Sequence, residues 1–277
     1  MPIATPPDLD SLESIARKLR GSVVDLSFEA ETPHLASSLS CIDILTAAYW
    51  GGLNLDPELA DSLDRDRLIL SKGHAAAALY SALAYRGYFP VSLLDTFAKA
   101  GSCLPEQPSP HCAPGVEAAT GSLGHGLSMI IGMALACRLQ GYHSRFVAIL
   151  SDGECNEGSV WEAAMFAPIH RLENVMVVVD YNKWQATGRS NEVMALEPLR
   201  DKWESFGWSA FEVDGHDLDA LTNHFQNLPN GSGRPVALIA HTVKGKGISF
   251  MEDDNNWHYR IPTSQERDLA HSELGLT

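Results

Sequence analysis

Two short β-branched runs, RFVAIL at 145–150 and NVMVVVD at 174–180, constrain this chain more than any other feature. Each reads as a strand buried on both faces, which is the pattern of a parallel sheet. The stretch between them, from about Gly158 to Arg171, is long enough for one crossover helix. A right-handed βαβ unit brings both strand ends to the same carboxyl edge, where open α/β sheets bind ligands. Asp152 follows the first run and Asn182 the second, so the two can share one ion.

A carboxylate and an amide oxygen suit a hard cation such as Mg²⁺, which completes its octahedron with water and substrate phosphates. Asp152 and Asn182 are therefore the expected metal ligands, and a diphosphate is the natural third party. Gly153 lets backbone approach a phosphate closely, and Glu154 and Glu157 stand near a helix start, where negative charge is favoured. GSLGHG at 121–126 precedes an apolar helix and offers bare amides to phosphate.

The chain has 277 residues, 45% of them hydrophobic, enough for one large α/β domain. Its 20 basic and 35 acidic residues give a net charge of -15, which argues against a general nucleic-acid or anionic-membrane binder. Lys72, Lys244 and Lys246 remain as local cations that can meet phosphates. Five cysteines with no CxxC pair suggest neither a disulfide framework nor a zinc site and fit a reducing cytoplasm. No secretory leader is read at the N-terminus, and no apolar run is long enough to span a bilayer.

Leu9, Leu12, Ile15, Leu19, Val23 and Leu26 recur at helical spacing and predict an opening amphipathic helix, with a second over Ile42 to Trp50. LDRDRLILS reads as a strand and AAAALYSALAYR as a helix. Four prolines between 104 and 114 make that stretch an irregular loop able to reach over a site. A helix is expected from Gly124 to Gly141. Beyond the central βαβ, WSAFEVDG and RPVALIAHTV supply strands, with a helix over Asp217 to Asn227 between them. The alternation indicates a doubly wound, mostly parallel sheet flanked by helices.

SDGECNEGSVWEA followed by DYNKWQ resembles the thiamine-diphosphate and Mg²⁺ motif of transketolases. The similarity extends through ETPHLASSLSCIDILTAAYW, DRLILSKGHAAAALYSALAYRGYF, PGVEAATGSLGHGLSMIIGMALA, VDGHD and HTVKGKGISFMEDDNNWHYR. Six motifs in order cover nearly the whole chain. The resemblance implies one domain over 1–277 with the diphosphate-binding thiamine-diphosphate fold. It also implies two-carbon ketol transfer from a ketose to an aldehyde, with Mg²⁺ as the metal and Ca²⁺ or Mn²⁺ as substitutes. No segment matches the family's pyrimidine-binding or C-terminal domains, so a partner chain carrying them is expected, in an α2β2 heterotetramer.

By the same resemblance the backbone carbonyl of Trp184 joins Asp152 and Asn182 on the metal, Gly121, Ser122 and Leu123 contact the cofactor, and Lys244 brings charge to the diphosphate. His34, His74 and His258 line the route to it, with His74 and His258 also touching it. Glu157 joins a carboxylate network reaching the partner's activating glutamate. His125 and His216 also fall in motifs and read as loop-organising residues. Three departures stand out. Where the family has His in GHP this chain has Glu106-Gln107-Pro108, the usual GHxGGS run is PHLASS, and a small residue after the late histidine is Tyr259. Gln107 keeps hydrogen-bonding capacity but cannot exchange a proton at neutral pH, which points to an unusual substrate. The alternatives are a 1-deoxyxylulose-phosphate synthase fragment, the alpha chain of a 2-oxoacid dehydrogenase, or a noncatalytic cofactor-binding homologue.

Overall fold

The structure, a computed structural model, describes residues 11–276. Its centre is a five-stranded sheet in the order β1-β2-β3-β5-β4, every neighbouring pair parallel. The strands are β1 (Arg67–Leu70), β2 (Phe146–Ser151), β3 (Val175–Tyr181), β4 (Ser209–Asp214) and β5 (Val236–His241). The sequence predicts a mostly parallel sheet; among the described residues it is wholly so.

Alternate residues of the central strands feed two separate cores. Val147 and Ile149 of β2, Met176 and Val178 of β3, and Leu238 of β5 pack on one face. Phe146, Ala148 and Leu150, Val177 and Val179, and Ala237 and Ile239 pack on the other. Burial on both faces explains the unbroken apolar runs in the sequence, since neither side of these strands meets water.

The first face is covered by α1 (Leu12–Ala30), α2 (Leu35–Ser40), α3 (Ile42–Thr46) and α4 (Ala76–Arg86). The second is covered by α5 (Gly126–Leu139) and α6 (Gly158–Ile169). Three further helices follow in the chain: α7 (Ser190–Val193), α8 (Leu199–Ser205) and α9 (Leu218–Gln226), of which α8 joins the second core and α9 the first. The last is α10 (Ser264–Glu273). Ile15, Leu19, Val23 and Leu26 form the buried stripe of α1, whose N-cap is Ser11; Leu9 lies outside the described residues.

The helix expected over Ile42 to Trp50 is interrupted. Its α-helical part ends at Thr46 and the chain widens into a π-helical turn over Ala47–Gly52, an irregularity that apolar periodicity does not reveal. The proline-rich loop is irregular as expected, and Thr120 N donates to Pro108 O at 3.1 Å, which ties it to the glycine loop.

Candidate thiamine-diphosphate site

Four of the segments singled out in the sequence follow a strand at the carboxyl edge. Ser71 to His74 follow β1, Asp152 follows β2, Asn182 follows β3 and Lys244 lies just beyond β5. Register pairs Ser151 with Asp180 and Tyr181 with His241, so β2, β3 and β5 end together. The sheet therefore gathers residues more than a hundred positions apart.

Asp152 is fully buried, and its carboxylate is held by three donors: Gly153 N at 2.8 Å, Lys183 N at 2.8 Å and the Ser190 hydroxyl at 2.7 Å. Lys183 directly follows Asn182, so Asp152 draws the Asn182 turn against the end of β2. Asn182 is 4% exposed; its Oδ1 accepts from Trp184 N at 3.0 Å and its Nδ2 donates to Ser40 Oγ at 3.3 Å. Burial pushes the Asp152 carboxyl up to about 6 against the opposing Ser190 bond. An adjacent cation would relieve that cost, because it stabilises the charged form.

Glu154 is placed differently from a residue facing a phosphate. It is fully buried, and its carboxylate accepts from the Ser71 hydroxyl, from Gly124 N at 2.8 Å and from Ser151 N at 3.3 Å. It thereby joins the SKGH turn and the glycine loop to β2. Glu157, at the start of α6, is exposed. Lys72, expected as a phosphate partner, is instead fully buried, and its ammonium pairs with Asp180 and donates to Ser37 O at 2.8 Å. Lys246 pairs with Glu252 at 3.6 Å.

Two glycines shape the cradle. A β-carbon on Gly73 would stand 2.5 Å from the carbonyl carbon of Thr120, so the SKGH turn and the glycine loop touch backbone to backbone. Gly121 has φ +134°, and a β-carbon there would meet Gln107 Oε1 at 1.9 Å. That backbone conformation and the packed amide together require glycine. Ser122 and Leu123 continue the same loop, and their carbonyls face the His125 ring at 3.2 and 3.1 Å.

Beside this cradle sit three histidines. The ring centroids of His34 and His74 are 5.3 Å apart, those of His34 and His258 5.0 Å, and those of His74 and His258 6.1 Å. His34 caps α2 in the left-handed region, with φ 71°, and its backbone N–H donates to His258 O at 2.9 Å. Burial lowers all three imidazoles, with neighbouring cations adding to the effect at His74 and His258; His258 falls to about 3 and His74 lies well below the ordinary value. They are neutral at pH 7, each with one ring nitrogen able to donate and one able to accept.

Lys244 donates to Asn255 Oδ1 at 2.7 Å and lies 2.9 Å from His258 Nδ1. The ammonium has only hydrogens to offer, so His258 Nδ1 accepts and the neutral ring carries its proton on Nε2. Burial, then the Lys72 charge, brings the Lys244 pKa down to about 8. Tyr259 lies over this cluster, 4.6 Å from the His258 ring centroid and 5.7 Å from that of His34, and is 62% exposed.

The residues present fit a phosphorylated cofactor with a cation. Thr120 Oγ1, Gln185 Nε2 and His34 Nδ1 are buried polar atoms with no protein partner, and such atoms call for a ligand or water. Thr120 adjoins Gly121 in the glycine cradle, and the Gln185 side chain packs at 3.1 Å from the β-carbon position of Gly153 in the Asp152 turn. Sequence reading missed the Arg189–Asp253 pair, two bonds of 2.6 Å each that also receive Trp184 Nε1 at 2.7 Å. This pair straps the segment after Asn182 to the segment carrying His258. Its members lie 64 residues apart, and nothing in the sequence marks them as partners.

The sequence matches the family described as "Transketolase, thiamine diphosphate binding domain" over residues 12–277. Among curated proteins it is 36% identical over 266 residues to an apulose-4-phosphate transketolase subunit of Phocaeicola vulgatus, covering 96% of this chain and 94% of that protein. It is 43% identical over 241 residues to the 6-deoxy-6-sulfo-D-fructose transketolase subunit SqwG of a Clostridium species, covering 87% and 88%. Among solved structures, a Pichia stipitis transketolase superposes with TM-score 0.89 at 26% identity, over 97% of this chain and 41% of that one. The chain thus spans about two-fifths of the one-chain enzymes whose structures it matches. The chain belongs to the transketolase family, in the class of its thiamine-diphosphate-binding N-terminal subunits.

Proposed function

We propose that this chain is the diphosphate-binding subunit of a two-component transketolase, moving a two-carbon ketol unit from a ketose donor to an aldehyde acceptor. The observation that carries the reading is the junction of a glycine cradle with three neutral histidines at one sheet edge. Asp152, Asn182 and the Trp184 carbonyl would hold Mg²⁺, while Gly121, Ser122, Leu123, Gly153 and Lys244 would face the diphosphate. Bound there, thiamine diphosphate supplies a carbanion equivalent and an electron sink.

The protein's own part is placement and proton handling. His258, with its proton fixed on Nε2, donates to a substrate oxygen; His74 and His34 exchange hydrogen bonds with the hydroxyl and carbonyl between which the reaction moves. Lowered imidazole pKa values keep these groups uncharged, so they act without repelling the cation and the ammonium nearby. Glu154 acts through structure, holding the turn and loop that border the cradle. Glu157, exposed beside the cradle, is left for a carboxylate on the partner.

A partner bearing the pyrimidine-binding domain is supported by the relatives named as transketolase subunits. It is supported also by the surface of α5 and α6, the helices that start from the glycine loop and the Asp152 turn. Leu139, Met165, Phe166 and Ile169 are exposed there, at 86, 56, 43 and 78%. On the same helices a largely apolar groove of about 360 Å³ is lined by Ile131, Gly132, Leu135, Ala163 and Phe166, and exposed apolar surface of this kind marks a contact surface. We place the assembly, an α2β2 heterotetramer, in the cytoplasm. Among the described residues no helix is long and apolar enough to cross a membrane.

The test is calorimetric titration of thiamine diphosphate and Mg²⁺ into the chain with its partner subunit. Asp152→Ala should abolish metal-dependent binding, because the diphosphate charge is left uncompensated. Unchanged affinity would overturn the assignment. Ketol transfer should be negligible for the purified chain and restored by the partner, and robust turnover by the chain alone would remove the partner from the reading.

A further inference from the structure

Asp43 of α3 is 4% exposed, and its Oδ2 is shared by two partners: Arg20 Nη2 at 2.5 Å and His216 Nδ1 at 2.7 Å. Each partner also reaches the backbone of one short loop. His216 Nε2 accepts from Val243 N at 2.9 Å, and Arg20 Nε donates to Lys246 O at 3.0 Å. Lys244 stands between the two anchored residues. A backbone N–H can only donate, so the proton of the His216 ring facing Asp43 sits on Nδ1 and is given to the carboxylate. The tautomer is thereby fixed from both sides.

We propose that Asp43, acting through His216 and Arg20, is a positioning residue that holds residues 243–246 and so sets where Lys244 presents its ammonium. Three elements distant in sequence meet in this bracket: α1 supplies Arg20, α3 supplies Asp43, and the turn after β4 supplies His216. The carboxylate is well held there: burial opposes its charge, but the bonds from His216 and the Arg20 guanidinium outweigh it and keep the pKa below the usual range. A third tie runs from Gly245 N to Ala36 O at 3.0 Å, linking the same loop to α2 just beyond His34. The loop thus carries Lys244 between two fixed ends, within bonding distance of Asn255 and His258. Displacement of such a group by about 1 Å is enough to cost catalysis on the order of a hundredfold.

The cavity beside the bracket, about 310 Å³ and lined in part by Arg17, Arg20, Lys246, Glu13, Asp43 and Glu273, does not compete as an anion site. Its three cations face three carboxylates. The bracket is therefore better understood through the loop it holds than through a ligand it would bind.

The role of Lys244 toward diphosphate rests on the proposed function, whereas the bracket itself can be tested without cofactor. Native-state amide exchange on His216→Ala should show the amides of residues 243–246 exchanging about tenfold faster or more, the loss of one hydrogen bond of ordinary net strength. Amides of Leu238 and Ile239 in β5 should keep their rates. His216→Gln, which retains one donor and one acceptor, should restore protection; Asp43→Asn should show the same local loss and keeps a second variant available if one folds poorly. With the partner subunit present, His216→Ala should lower kcat about a hundredfold and His216→Gln should recover most of it. Unchanged exchange at 243–246, or a rise shared equally with β5, overturns the bracket. Faster exchange confined to 243–246 together with undiminished kcat overturns its positioning role.

Discussion

Lys72 and Asp180 form an ion pair with neither side chain exposed, joining the turn after β1 to the end of β3. Ser40 donates to the same carboxylate at 2.6 Å and Thr242 donates to its other oxygen, so one charge pair ties α2, β1, β3 and β5 together directly beneath the site. Burial opposes the Lys72 charge, but the Asp180 carboxylate outweighs it and holds the ammonium above its ordinary range. Lys72→Met should leave the carboxylate buried without its counter-charge and destabilise the fold by about 3–5 kcal/mol in urea unfolding. Lys72→Met/Asp180→Leu should recover a large part of that loss, because it removes both charges. Equal destabilisation by the single and double variants would show that the pair matters through its shape and not its charge.

Lys244 gives a pH dependence with a definite sign. Its ammonium, brought down to about 8 in the fold, returns to about 10.4 in the unfolded chain. The charged form is disfavoured in the folded state, so below pH 8 the fold bears the whole cost of the charge. That cost lifts as pH rises from about 8 towards 10.4, and the chain without cofactor should become more stable across this window. Diphosphate affinity should move the opposite way: level up to about pH 8, then falling by at most about tenfold per unit as the ammonium is lost. Lys244→Met should flatten both slopes in paired denaturation and titration series. A wild-type affinity that stays level to pH 9.5 would remove Lys244 from the diphosphate contact.

Much of this arrangement is legible in the sequence because strand ends are. RFVAIL and NVMVVVD announce their burial, and parallel connection then dictates that Asp152 and Asn182 share an edge. The glycine loop and the histidines carry local motifs of their own. What the sequence hides is pairing at long range. Nothing local distinguishes Lys72, which turns inward to Asp180, from Lys244, which stays near His258, and Glu154 looks as available to a phosphate as Glu157. Asp43 lies within an apolar helix with no local sign of its partners, which lie 23 and 173 residues away. One local signal is readable without any long-range partner: Thr263 and Glu266 form a capping box at the start of α10, and T-x-x-E spacing announces such a start.

Gln107 and Tyr259 stand where the resemblance to transketolases places a histidine and a small residue, one against the glycine cradle and the other beside the histidines. The Gln107 amide oxygen lies against Gly121, where that residue's β-carbon would be, while Tyr259 forms an aromatic wall beside His34 and His258. An amide in place of an imidazole keeps a donor and an acceptor but offers no proton exchange. The bulky ring narrows the approach to neutral histidines whose pKa values burial has lowered. These changes should alter which donor is held, and not whether the cofactor binds. Gln107→His and Tyr259→Gly, each assayed with the partner subunit, should therefore shift the ratio of kcat/KM between short and long ketose donors. One altered pocket contact is worth about 10–200-fold in such a ratio. Thiamine diphosphate affinity should stay within about threefold of wild type, since neither side chain is placed at the Asp152 turn. Identical donor preferences in wild type and both variants would show that the two residues are tolerated differences with no part in selecting substrate. A parallel loss of cofactor affinity would assign Gln107 to the glycine loop's support instead.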